Sequence, residues 1–375
     1  MKRPLNIAFF GSSLVSAYWN GAATYYRGII KELHKKGHRV TFYEPDAYDR
    51  QKHRDLPDPE WADVVVYEAA EKAVLDMVGR AVDADILIKA SGVGVFDELL
   101  ESEAIQRRGR EQACIFWDVD APATLQRLEE NPDDPFRDLV PQYDAVLTYG
   151  GGQPVVDAYT ALGALECVPI YNAFDPETHH RVQPESRFQG DLAFLGNRLP
   201  DREARVEDFF LKPAARLPDS NFVLGGNGWT DKDLPRNVRY VNHVYTRDHN
   251  AFNVSPKAVL NISRDSMARM GFSPATRVFE AAGAGACLIT DHWEGIELFL
   301  EPDTEVLVAR DGEDVVNILK NLSPERARSI GEAALRRMFS EHTYAHRTEH
   351  LESILDRLVE TRKVASGMTL GSNTP

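Results

Sequence analysis

The chain has 375 residues, 43% of them hydrophobic and 27% charged, with a formal net charge of −15. That length is enough for two domains with a core each, and the composition is that of a globular protein. The acidic balance excludes a general nucleic-acid binder, which needs a basic face to release counterions, and no stretch approaches the roughly 20 apolar residues of a membrane span.

The opening MKRPLNIAFFGSS places basic residues before an apolar run, but the run covers only Leu5 to Phe10 and reads as a first strand, not a secretory leader. Thr24 to Lys36 then predicts an amphipathic helix ended by Gly37. Strands are expected at Ile7–Phe10, His38–Tyr43, Val64–Tyr67, Ile86–Ala90, Ala113–Trp117, Ala145–Tyr149 and Cys167–Ile170, most with a helical segment between. Alternation of this kind, with right-handed crossovers, predicts a doubly wound parallel sheet. The first loop, SSLVSAYWNGAA, lacks G-x-G-x-x-G spacing and gives little support to a dinucleotide site. Cys114, Cys167 and Cys287 are far apart, which argues against a disulfide framework or a cysteine metal cluster and fits a reducing cytoplasm.

Chemistry in this half is expected at the strand ends. Ser12, Ser13, Tyr18, Trp19 and Asn20 mix aromatic and polar groups suited to closing over an acceptor, or simply form a solvated loop with two packed rings. Asp118 and Asp120 follow an apolar strand directly and are the candidates for a general base. Asp120 is also placed to cap the helix that follows. Gly151, in the run Gly150–Gly152, serves either close approach of a ligand or a tight turn.

A polar linker with His179 and His180 follows Asp175. The two histidines read as solvated, since no third metal ligand has a recognisable spacing. The boundaries expected are 1–175, a linker 176–190, a second domain 191–340, a helix 341–365 and a disordered tail 366–375. The second domain opens with a strand over Asp191–Leu195. Asn197, Arg198 and Arg202 at the ensuing turn suit an anion, because backbone donors and guanidinium forks both match phosphate oxygens. The strand Asn221–Leu224 leads to Gly226 and Trp229, Val238–Val244 is a further strand, and Ala258–Ile262 leads to Arg264.

The stretch Gly271–Glu297, GFSPATRVFEAAGAGACLITDHWEGIE, reads as a loop of Gly271, Phe272 and Ser273, a helix starting near Ser273, and a buried strand ending at Asp291. Arg277 one turn into that helix, with its unpaired N–H groups and dipole, makes a seat for phosphate. Beyond it lie a strand over Glu305–Ala309, helices over Asp311–Leu322 and Pro324–Phe339, and a last helix with His342, His346 and His350 spaced four apart. These histidines lack a metalloprotease pattern, so no metal is expected.

RVFEAAGAGACLITD, WEGIE and EVLVARD resemble the donor segment of GT-B glycosyltransferases, most closely the CgeB-like (spore maturation) branch. The resemblance implies two Rossmann-like, doubly wound domains facing a central cleft, an α/β fold whose C-terminal helix crosses back to the first domain. It implies an acceptor domain, then a donor domain where Glu280 holds the ribose hydroxyls and Asn242, His243 and Val244 lie near the nucleobase. Asn172 and Asp175 match the exit signature of the first domain. Larger families carry a second glutamate seven residues before the ribose glutamate; Ser273 stands there, so the donor sugar stays unnamed.

The expected activity is metal-independent transfer from a UDP, dTDP or GDP sugar, a co-substrate and not a resident cofactor, to a small molecule, glycan or protein. No nucleic-acid partner and no integral membrane segment are expected. Two alternatives stay open: a non-catalytic nucleotide-sugar-binding protein and a nucleotide-sugar epimerase on the same fold.

Overall fold

Strands that are apolar on both faces require cover on both faces, and a parallel sheet between helices supplies it. The structure, a computed structural model, describes residues 3–18 and 20–371. Its first sheet holds β1 (Asn6–Phe10), β2 (Arg39–Asp46), β3 (Asp63–Glu68), β4 (Ile86–Ala90), β5 (Ala113–Asp118), β6 (Ala145–Thr148) and β7 (Cys167–Pro169). The order is β3-β2-β1-β4-β5-β6-β7, every pair parallel. All six residues of β5 are buried, five apolar ones followed by Asp118.

This sheet belongs to a unit made of the chain up to Tyr171 and the chain from Tyr344 onward; Asn172–Thr343 form a second unit. Within the first unit the last helix, Tyr344–Gly371, packs on the helix Ala23–Lys35. Gly28 makes that approach possible: a Cβ there would lie 2.3 Å from the Tyr344 ring. Polar contacts fasten the same helix, from Lys36 Nζ to Glu352 (3.2 Å), from Arg362 to Asp144 (2.5 Å) and from Arg357 to Glu166 (2.6 Å).

The second sheet holds β8 (Leu192–Leu195), β9 (Phe222–Gly225), β10 (Val238–Tyr240), β11 (Ala258–Asn261), β12 (Leu288–Asp291) and β13 (Leu307–Ala309). Its order, β10-β9-β8-β11-β12-β13, is again wholly parallel. Leu192, Phe194, Phe210, Leu224, Leu260 and Ile289 are among its core residues. Strand order reverses between β8 and β11, and open α/β sheets bind ligands at the carboxyl ends flanking such a reversal. Both sheets are thus Rossmann-like.

Several elements differ from expectation. The strand from Val238 stops at Tyr240, because the chain turns at Asn242 with φ +57°. The helix expected from Ser273 starts at Thr276, its cap Ala275 still extended (ψ 152°) after Pro274. His342 follows the helix Pro324–Glu341 as its C-cap, so only His346 and His350 share the last helix. That helix runs on through residues 366–371, where a disordered tail was expected, and Arg110 donates to the Ser366 carbonyl at 3.0 Å. Residues 372–375 of that tail, and Trp19, lie outside the described residues. Among the described residues no helix is long and apolar enough to cross a membrane.

Candidate functional site

At the carboxyl edge of the second sheet, Arg202 feels the charges of two further arginines, Arg264 and Arg277. Arg202, on the helix Pro200–Val206, donates to the Asn197 carbonyl at 2.7 Å, while its Nε has no partner. Burial lowers its pKa; Asp201 opposes the shift, and the charges of Arg277 and Arg264 add to it. Arg264 is anchored by Asp201 at 2.6 Å. Arg277, one residue into the helix Thr276–Gly283, donates to Asn253 Oδ1 at 3.1 Å and keeps a partnerless Nε; burial pushes its pKa down as well. Half-buried guanidinium groups whose charge is costly form a place where an arriving anion is stabilising. Ser273, 5% exposed, presents a partnerless Oγ on the loop leading to this helix.

Glu280 faces inward from that helix. Its Oε1 lies 3.6 Å from His179 Nε2 and its Oε2 lies 4.0 Å from Arg277 Nη1. Burial would raise its pKa, but His179, Arg277 and His249 outweigh burial and hold the carboxyl below its ordinary range. His179 is therefore not the solvated linker residue expected: it is 3% exposed and faces a carboxylate. Asn250 pins the loop in place, donating to the Thr178 carbonyl at 2.9 Å and accepting from the His180 N–H at 3.3 Å. His249 and Asn253, both on the helix His249–Val254, had escaped sequence reasoning. Their spacing of four on one helix face was the available signal.

Burial pushes the His249 pKa down to about 4; Glu280 opposes this, and Arg277 and His179 add to it. A lowered folded pKa means that the stability it confers is present above the ordinary 6.5 and lost as pH falls through about 4. The expected loss is at most about 3 kcal/mol. Thermal unfolding at pH 7 and pH 4 should show this decline, and His249→Gln should flatten part of it; an identical decline in the variant would remove His249 as its cause.

Other candidates for donor binding sit differently from expectation. The Arg198 guanidinium is held in ion pairs by Glu203 (2.8 Å) and Asp231 (3.0 Å). Trp229 is fully buried and donates to the Gly196 carbonyl at 2.8 Å. At Gly226 (φ +114°) a Cβ would meet that same carbonyl at 2.2 Å, so the glycine admits the neighbouring loop. Asn197 Oδ1 and the Asn242 carbonyl accept from the N–H groups of Asn227 and Gly226, at 2.9 and 2.8 Å. Val244 is buried, while His243 is exposed with its ring edge-on to Tyr245 at 4.6 Å. Gly271 and Phe272 both have positive φ, and the Phe272 N–H donates to the Glu294 carbonyl at 2.6 Å, closing this loop on Gly295.

In the first unit, the loop after β1 turns its polar groups inward. Glu44, fully buried, accepts from Ser13 Oγ (2.9 Å) and the Leu14 N–H (2.6 Å). Ser12 Oγ bonds Asn20 Oδ1 at 2.9 Å, and Asn20 Nδ2 donates to the Ser13 and Ser16 carbonyls. Ser12, Ser13 and Asn20 thus spend these polar groups on building the loop; Tyr18, 41% exposed, stacks on His53. Asp118 is fully buried and accepts from Tyr159 OH (2.5 Å), Ser91 Oγ (2.7 Å), the Asp120 N–H (3.0 Å) and Thr124 Oγ1 (3.1 Å). Burial raises its pKa against those bonds. With its oxygens enclosed by donors, it is a structural acceptor and no base for an external hydroxyl. Asp120 is half-buried at the cap of the helix Ala121–Glu130 but makes no side-chain cap bond. Gly151 (φ +91°) forms a turn: a Cβ would strike Val155 at 2.0 Å.

Residues 202–353 match the family model described as Glycosyl transferase-like. No curated protein matches the chain in sequence. Solved structures share its fold. Anabaena HepE in complex with UDP and glucose is 13% identical, with a TM-score of 0.66, over 94% of this chain and 100% of that one. Sucrose-phosphate synthase from Thermosynechococcus elongatus is 12% identical, with a TM-score of 0.68, over 96% and 100%. AviGT4, a glycosyltransferase of avilamycin A biosynthesis, is 16% identical, with a TM-score of 0.60, over 96% and 99%.

Proposed function

We propose that this chain, a glycosyltransferase of the GT-B fold, binds a nucleotide-diphosphate sugar in its second unit and passes the sugar to an acceptor without a catalytic metal. The carrying observation is the meeting of two unlike requirements around the helix Thr276–Gly283: Arg277 on it, with Arg202, which feels the charges of both Arg277 and Arg264, suited to a diphosphate, and an ionised Glu280, suited to ribose hydroxyls. The departing diphosphate gains negative charge as the glycosidic bond breaks, and oriented guanidinium groups lower that barrier as they do for other anionic transition states. Asp120, half-buried after β5, is the residue we assign to accept the acceptor's proton.

Proteins of like fold have been captured with UDP and UDP-glucose, which favours uridine donors over dTDP and GDP sugars. The acceptor is a small molecule, a glycan or a protein, and the motifs around Glu280 favour the CgeB-like branch. The three free cysteines support a cytoplasmic setting.

Glu280→Ala should weaken UDP binding by roughly 10- to 100-fold in calorimetry, the range for a lost charged hydrogen bond. Unchanged affinity would refute the ribose assignment. Incubation with donor and acceptor should yield a glycoside and free nucleotide; an isomerised nucleotide sugar would refute transfer.

A further inference from the structure

We propose that His179, His249 and Glu280 form a binding site for a borderline divalent transition ion, Zn2+ or Co2+, and that this ion and the nucleotide's ribose exclude one another at Glu280. The exclusion rests on the donor reading above; the ion site does not. One ligand atom from each of the three residues lies within 4.8 Å of the other two. Ligands held tetrahedrally at zinc distances stand about 3.3–3.4 Å apart, and the 3.6 Å between His179 Nε2 and Glu280 Oε1 is close to that edge.

The hydrogen bonding points to the same ligand. Buried polar atoms are nearly always hydrogen-bonded, yet His179 Nε2 and His249 Nδ1 are both buried and make no hydrogen bond. His249 Nε2 lies 3.3 Å from the Val244 carbonyl. A proton on that nitrogen leaves Nδ1 with its lone pair free, and metal-bound histidines commonly donate their other N–H to a carbonyl in this way. Two imidazoles and one carboxylate select zinc or cobalt over magnesium or calcium, and three protein ligands leave one position open.

Arg277 opposes a dication, but it approaches Glu280 from Oε2 while the histidine faces Oε1. The two carboxylate oxygens therefore serve a cation-binding side and a phosphate-binding side. An ion drawing Oε1 into its coordination removes the acceptor that ribose hydroxyls require, so metal occupancy turns the donor site off.

Titration of EDTA-stripped, full-length protein with Co2+ tests the site. One equivalent with a visible ligand-field band is expected, displaced by Zn2+ and not by Mg2+. His179→Ala, His179→Gln and His249→Ala should each weaken Co2+ binding by at least the roughly 10–100-fold that losing an outer partner costs. A wild-type protein without the band, or a band retained in every histidine variant, would overturn the site. UDP calorimetry with and without saturating Co2+ tests the exclusion: weaker UDP binding is expected, and equal or tighter binding would overturn it. Failure of metal-free protein to bind any nucleotide would overturn the donor reading and the exclusion with it, while the Co2+ band still judges the site.

Discussion

Arg277→Ala lowers kcat by roughly 100- to 1,000-fold, the range found when one preorganised donor to a developing anion is removed. The expectation follows from how little the folded protein does with this guanidinium. It is 15% exposed, donates once to Asn253, and stands 4.0 Å from Glu280. Burial makes its charge costly, and Arg202 shares the field that results. A diphosphate relieves both, more so as charge grows on it. The variant should melt close to the wild type, since no bidentate partner is lost. Arg277→Lys, which keeps the charge and loses the planar fork, should recover only part of the rate. A turnover within twofold of wild type in Arg277→Ala would remove the residue from the transition state.

Asp118→Ala should cost about 3 kcal/mol of stability, because several buried donors lose their acceptor together. For a unit of about 200 residues that is a fall of roughly 6–12 °C in Tm. Asp118→Asn, which keeps one carbonyl acceptor, should fall less. Per folded molecule at low temperature, both variants should retain turnover. Lost turnover with an unchanged Tm would restore Asp118 as the acceptor's base and displace Asp120.

The doubly wound sheets were legible because a buried parallel strand has few ways to be written: ACIFW in β5 and LIT in β12 admit no polar face. Arg277 and Glu280 were legible because they share one short helix, where spacing alone fixes their neighbourhood. His179 and His249 were not, since 70 positions separate them and only the tertiary fold, through Asn250, brings them to Glu280. Arg198 misled for a related reason: an arginine at a strand-to-helix turn looks the same whether it awaits phosphate or is held by Glu203 and Asp231. The loop after β1 misled because nothing local reveals that Glu44 lies buried beneath it.

The return of the last helix to the first unit sets an order of assembly. The Asn172–Thr343 unit is uninterrupted and has all its strands as soon as it leaves the ribosome. The unit begun first stays unfinished until Tyr344 and the residues after it emerge to fill the groove at Gly28. Domains generally fold during synthesis from the amino terminus onward; here the later-made unit is the one able to close first. A nascent chain stalled short of Tyr344 would carry a finished second unit and an open first one, which is where chaperone contact should concentrate.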